Sequence, residues 1–310
     1  MNVLVGNTGF VGSNLWASGG MDLGFHSSNI QEAYGLEPDL LIYAGLRAEK
    51  YLANHAPEKD MEQILEAEEN IRRIHPKQLV LISTVDVYQV PVNVDEDSVI
   101  ETEGLQPYGY NRYVLEQWVR GQYPDALIVR LPGLFGKNIK KNFIYDMIHV
   151  IPFMLKEDKM EELSAKEPSL LSYYTRQDNG FFRCNVLSKQ ERTTLKHMFR
   201  QLGFTALNFT DSRNVYQFYP LSRLWSDLQK ALNQKIRLLN IATAPVSAAE
   251  LYEYLNGDTF INPISANPVR YDFKTKQDTV FGGADGYLMA KEEVMSAIGT
   301  FVREAVREEE

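Results

Sequence analysis

Three shortages in this chain each remove a class of protein. Cysteine occurs once, at Cys184, so no disulfide can close within the chain; a reducing compartment and a buried structural thiol are the reading of that residue. Long apolar runs are missing too. The strongest, Met147 to Leu155, is interrupted by His149 and Pro152, too short and too broken for a membrane span. No charged start leads into a signal-like apolar segment, and a cytoplasmic protein with no membrane partner is expected. Positive charge is the third scarcity. With 32 Lys and Arg against 41 Asp and Glu the net charge is -9, and an acidic surface offers phosphate only local anchorage, so no nucleic-acid partner is expected. No metal site is read either.

What remains is a chain of 310 residues, 44% hydrophobic and 24% charged, enough to bury a large core as one domain with a smaller companion, or as two. Its most informative stretch is Val3 to Leu15, VLVGNTGFVGSNL. The apolar run before Gly6 reads as a buried parallel strand. Gly6, Gly9 and Gly12 follow at intervals of three, which lets a strand turn tightly into a helix whose first amides (Phe10, Val11, Gly12) point at a phosphate. A side chain at the glycines would hold a ligand away from the backbone. This loop resembles that of the extended short-chain dehydrogenases/reductases that act on nucleotide sugars.

A short helix carrying Leu15 and Trp16 then ends at Gly19 and Gly20, before a brief strand around Leu23 to His26. Where the adenosine ribose meets that strand in dinucleotide-binding folds, an acidic residue selects the free 2′-hydroxyl and a cation the 2′-phosphate. This chain has His26, Ser27, Ser28 and Asn29, so NAD or NADP stays open. Asn29 is placed either for a ribose contact or to cap a helix from Ile30 to Leu36. Leu40 to Gly45 is the third apolar run. Its small terminal pair, Ala44-Gly45, suits passage of a cofactor over the sheet edge, or close helix packing. Arg47 to Arg73 reads as amphipathic helix through Ile64, Leu65, Ile71 and Ile74, with its many charges on a solvated face.

Leu79 to Ile82 forms a fourth strand that continues into Ser83-Thr84-Val85-Asp86-Val87-Tyr88. If the backbone stays extended, Thr84, Asp86 and Tyr88 project to one side. Pro107 suits a helix start, and Tyr108 and Arg112, four residues apart, share one helical face. Taken in order and spacing, the glycine turn, Ser-Thr-x-Asp-Val-Tyr and Tyr-Gly-x-x-basic-x-x-x-Glu resemble the NAD-dependent epimerase/dehydratase family of extended short-chain dehydrogenases/reductases.

That resemblance implies roles. Thr84 would hydrogen-bond the reacting oxygen, Tyr108 would exchange its proton, and Arg112 would support the tyrosinate and the cofactor ribose. A free phenol titrates near pH ~10, so a fixed cation and an oxidised nicotinamide are needed for phenolate near neutrality. Arg112 stands where the family usually has lysine; it keeps the charge but cannot relay a proton. Asp86 is either the acid that helps remove water in dehydratases of the family or a hydrogen-bonded turn carboxylate. After a fifth strand, Ala126 to Leu131, Pro132-Gly133 resembles the family's segment beside the nicotinamide. Lys141 and Asn142 resemble a substrate-contacting segment, with surface solvation the alternative for the lysine.

The implied architecture is α/β: a Rossmann-type doubly wound parallel sheet with a smaller, largely carboxyl-terminal substrate domain. Residues 1–135 and about 216–245 would bind NAD(P), and about 136–215 with 246–310 would face the substrate. The implied function is an NAD(P)-dependent oxidoreductase or epimerase acting on a nucleotide sugar. Alternatives are a nucleotide-sugar dehydratase and a catalytically weakened NAD(P)-binding protein, a sensor or assembly component. A homodimer through Met61 to Ile74 and Tyr108 to Gln122 would match the family's contact.

Overall fold

Continuous apolar runs without alternation belong in strands covered on both faces, and the chain places them there. The structure, a computed structural model, describes residues 1–309. Strands β1 (Asn2–Val5), β2 (Leu23–Phe25), β3 (Leu40–Tyr43), β4 (Leu79–Thr84), β5 (Leu127–Leu131) and β6 (Leu238–Asn240) form one sheet in the order β2-β1-β3-β4-β5-β6. Every pairing in it is parallel. Val3, Leu4, Leu41, Ile42, Val80, Leu127 and Val129 lose all solvent contact. After β1 the chain steps outward to β2, then returns across β1 to lay down β3. That reversal opens a crevice at the carboxyl ends of β1 and β3, the place where doubly wound sheets bind ligands.

Helices α1 (Phe10–Ala17), α2 (Lys50–His55), α3 (Pro57–Ile74), α4 (Pro107–Gln122) and α5 (Leu224–Asn233) belong to the same unit. The stretch read as one amphipathic segment over 47–73 is therefore two helices, because Pro57 restarts the chain at the first position of α3. Ile64, Ile71 and Ile74 are buried, whereas Leu65 is 58% exposed. One residue on from Ile64 is a turn of roughly 100° around a helix of 3.6 residues per turn, which carries Leu65 off the apolar stripe. Across the sheet, Arg130 of β5 forms a buried ion pair with Glu116 of α4, donating Nη2–H at 2.6 Å, and Ser83 of β4 donates to the same carboxylate at 2.6 Å.

The chain divides into two compact units, and the first takes Met1–Ile139, Val215–Val246 and Arg270–Ser296. Assigning all of 246–310 to a substrate side is thus corrected for Arg270–Ser296, whose backbone joins this unit through Tyr271 N–H to Val215 and Asp272 N–H to Pro91. The second unit takes Lys140–Asn214, Ser247–Val269 and the described residues from Ala297 on. It has its own core of Leu155, Met160, Leu163, Leu170, Tyr174, Leu195 and Phe199. A three-stranded antiparallel sheet has Phe181–Cys184 between Met154–Lys156 and Tyr174–Arg176. Cys184 is half-buried rather than fully enclosed, and burial still pushes its thiol pKa up. Ser188 with Glu191, and Ser247 with Glu250, form capping boxes that start helices Lys189–Leu202 and Ala248–Asn256.

Candidate active site

The glycines of the first turn are required by close backbone approach. Gly6 has φ +92° and its missing Cβ would run into the carbonyl of Ala44; one at Gly12 would run into the carbonyl of Gly6. Glycine therefore lets β1 turn against the end of β3 and lets α1 start directly over that turn. Ser13 is the first residue to donate back to Gly9, at 2.8 Å, so the amides of Phe10, Val11 and Gly12 have no acceptor within α1. Gly9 itself caps α1 without a side chain. Buried polar atoms around this turn and the end of β2 also lack partners, namely Asn7 Oδ1 and His26 Nδ1. A backbone cradle with open donors and unmatched polar atoms beside it fits the pyrophosphate and adenosine of a dinucleotide.

Asn29 does not cap a helix. Its Oδ1 accepts from the His26 N–H at 2.9 Å, closing the turn after β2, and only the 3₁₀ turn Ile30–Ala33 follows.

The second wall is built at the end of β4. There the chain leaves the extended path: Thr84 Oγ1 accepts the Asp86 N–H at 3.2 Å and Val85–Val87 is a 3₁₀ turn. The expected alternation of Thr84, Asp86 and Tyr88 is overturned by this local hydrogen bond. Tyr88 turns into the core, where Arg130 donates to its hydroxyl at 2.8 Å and that hydroxyl donates to the Asp95 carbonyl at 2.6 Å. Thr84 and Asp86 stay on the crevice, and α4 supplies the rest. Pro107 opens α4, and Asn54 Oδ1 of α2 accepts the otherwise orphaned Tyr108 N–H at 2.9 Å. A Cβ on Gly109 would overlap the Asp86 carbonyl, so the first turn of α4 lies directly on the turn after Thr84.

One cleft is lined by Val11, Ala44, Thr84, Asp86, Tyr108, Arg112 and Pro132, joined by Leu46, Arg47 and Ala48. Gly6, Gly9, Phe10, Gly12, Asn29, Gly45 and Gly133 are not among its lining residues. Gly45 abuts Val5 and Tyr43, and Gly133 packs beneath the Gln217 carbonyl, where a Cβ would approach to 2.9 Å. Lys141 and Asn142 belong to the second unit, and Asn142 Oδ1 caps the helix Phe143–His149 by accepting the Tyr145 N–H at 3.1 Å.

Among the chain's own groups, burial outweighs the cations at the phenol. Tyr108 is 8% exposed, and its pKa is raised. Burial is the main cause; Arg112 and Lys50 pull it down while Asp86 and Asp60 push it up. Arg112 stacks its guanidinium 4.3 Å from the Tyr108 ring centre. The same group forms a buried ion pair with Asp60 and donates Nη2–H to the Arg47 carbonyl at 2.8 Å. Asp86 Oδ1 accepts from Lys50 Nζ at 2.8 Å and from the Tyr271 hydroxyl at 3.0 Å. Lys50 and Tyr271 were not legible: the first lay in a run of solvated charge, the second far along the chain with no motif around it.

Neither a protein-family model nor a curated protein matches the chain. Solved structures do. A dTDP-4-dehydrorhamnose reductase from Yersinia enterocolitica superposes with a TM-score of 0.63 at 12% identity, over 98% of this chain and 99% of that one. A second such reductase, from Bacillus anthracis and in complex with NADP, gives 0.61 at 16% identity over 98% of each chain. UDP-glucose 4-epimerase from Thermotoga maritima, with UDP-glucose, gives 0.60 at 13% identity over 99% of this chain and 100% of that one. The fold is that of these reductases and of the epimerase. It accounts for the parallel sheet, for the glycine turn at the switch point and for the position of α4 beside β4. Among the described residues of this fold, no helix is long and apolar enough to cross a membrane, and no cluster of His, Cys, Asp and Glu is placed to hold a metal.

Proposed function

We propose that this protein is an NAD(P)-dependent oxidoreductase or epimerase acting on a nucleotide sugar, with Tyr108 as its acid and Thr84 as the hydroxyl that orients the reacting oxygen. The observation that carries the reading is the convergence of Thr84, Tyr108, Ala44 and Pro132 on one cleft at the carboxyl edge of the sheet. The fold neighbours add support, being named as sugar-nucleotide reductases and epimerases, one of them with NADP. When bound, the nicotinamide supplies or removes the hydride. The chain's own residues then manage one proton and one oxygen. Thr84 Oγ1 already accepts from Asp86 N–H, which leaves its hydroxyl hydrogen to donate to a substrate oxygen. Tyr108, held protonated by burial, gives its proton to that oxygen as the ring carbonyl is reduced.

The clamp on Asp86 by Lys50 and Tyr271 favours reduction or epimerisation over dehydration, since that carboxylate is already engaged. In this reading Gly6, Gly9 and the Phe10–Gly12 amides cradle the pyrophosphate, and Asn29 and His26 meet the adenosine side. A homodimer through α3 and α4 belongs to the same reading.

The test is binding followed by turnover. The purified chain is expected to bind NAD+ or NADP+, and with NADPH to reduce dTDP-4-dehydrorhamnose used as a probe. Tyr108→Phe is expected to keep dinucleotide affinity and lose about 10²–10⁴-fold in turnover. No affinity for either dinucleotide would end the proposal.

A further inference from the structure

The arginine at position 112 leaves a gap in the chemistry that another residue is placed to fill. An acid that gives its proton to substrate must regain one in each cycle, and Tyr108 is almost wholly buried. Arg112 cannot resupply it. Its guanidinium is committed to Asp60, to the Arg47 carbonyl and to the face of the Tyr108 ring, and an arginine does not release its proton in proteins.

The other cation that acts on Tyr108 is Lys50. It opens α2, and its side chain is 48% exposed, with one ion pair to Asp86 and a 3.5 Å contact to the Tyr271 hydroxyl. Asp86 in turn lines the cleft with Tyr108, and its backbone carbonyl lies against Gly109, the residue after Tyr108. The ammonium is thus tied to the same wall as the phenol, faces solvent, and sits on a flexible four-carbon stem.

We propose that Lys50 is the proton-supplying cation of this site, held on Asp86 and Tyr271 between turnovers and reprotonating Tyr108 after each one. The inference rests on the assignment of Tyr108 as the acid. In the reductive step the Tyr108 O–H bond breaks and its proton goes to the substrate oxygen, while the hydride comes from reduced nicotinamide. An Nζ–H bond of Lys50 then breaks and its proton passes to the tyrosinate oxygen. The neutral amine recovers a proton from water and returns to Asp86. The charged and titratable groups acting on Tyr108 in this cycle are Arg112, Asp86, Lys50 and Asp60.

The experiment uses the full chain carrying Lys50→Ala, Lys50→Arg or Tyr108→Phe, with NADPH and dTDP-4-dehydrorhamnose as the probe. Lys50→Ala should lose about 100-fold in kcat with its thermal midpoint kept. Added methylamine should restore its turnover and added guanidine should not; Lys50→Arg should stay slow, since charge alone is insufficient. A readout without turnover is the ring-carbon NMR titration of Tyr108, assigned by its loss in Tyr108→Phe. Its midpoint should rise by about one unit, tenfold in proton affinity, in Lys50→Ala and hold in Lys50→Arg. Native turnover or an unmoved titration in Lys50→Ala, with Tyr108→Phe inactive, overturns the role of Lys50 alone. Native turnover in Tyr108→Phe overturns the reading beneath it.

Discussion

Two side chains of α4 that share one sequence motif do different work. Tyr108 faces the cleft, and burial raises its pKa above the ordinary phenol value. The sign follows directly. A raised pKa keeps the acid form to higher pH, so reductive turnover should stay level on the alkaline side until beyond pH ~10. A pH–rate profile of kcat checks this, and an alkaline limb centred near neutrality would refute it. Glu116, eight residues beyond Tyr108 and so about 80° round the helix from it, is fully buried against Arg130 and Ser83. Replacing one member of such a pair strands the other charge in the core. Glu116→Ala should therefore destabilise the fold by about 3–5 kcal/mol in denaturant titration. Dinucleotide affinity, measured on whatever fraction stays folded, should remain native. The sequence gives Tyr108 and Glu116 equal standing in one motif, because spacing along a helix fixes which face a residue takes and not what lies against that face.

Elements were legible where their signal is continuous. β1, β3, β4 and β5 were visible as unbroken apolar runs, and α4 by Pro107 at its start, because both signals are local to the chain. The break after Thr84 was not, since it depends on one hydrogen bond from the Asp86 amide to Thr84 Oγ1 that an extended reading of the same residues ignores. The strands of the second unit are three or four residues long, too short for a period to register. Glycines in α4 give a test at this scale. Gly121 has nothing within 4 Å of where a Cβ would stand, whereas Gly109 would strike the Asp86 carbonyl. Gly121→Ala should stabilise by up to about 1 kcal/mol through lower chain entropy. Gly109→Ala should cost about 3 kcal/mol or more by overpacking against backbone and should displace Tyr108. Thermal and denaturant unfolding of the two variants checks both signs; equal effects would mean that α4 does not rest on the turn after β4.

At the scale of the whole chain, two units with separate cores share one polypeptide. The glycine turn, the end of β3, Thr84 and Tyr108 all lie within the first, so a dinucleotide held by them is a ligand of that unit's native state alone. Ligand that binds only the native form stabilises it by RT ln(1 + [L]/Kd), about 2.7 kcal/mol at a hundredfold excess over Kd. Scanning calorimetry of the full chain should then show NAD+ or NADP+ raising the transition that carries the larger enthalpy, since enthalpy scales with the number of residues unfolded and the first unit is the larger. The dinucleotide with the lower Kd should raise it more, which settles the choice that His26, Ser27, Ser28 and Asn29 leave open. A shift confined to the smaller transition would place the binding site outside the first unit. Because Gly6 is needed for β1 to pass under the Ala44 carbonyl, Gly6→Ala should melt earlier without ligand and show a smaller rise with it. The two effects together distinguish a cradle that binds from a turn that merely packs.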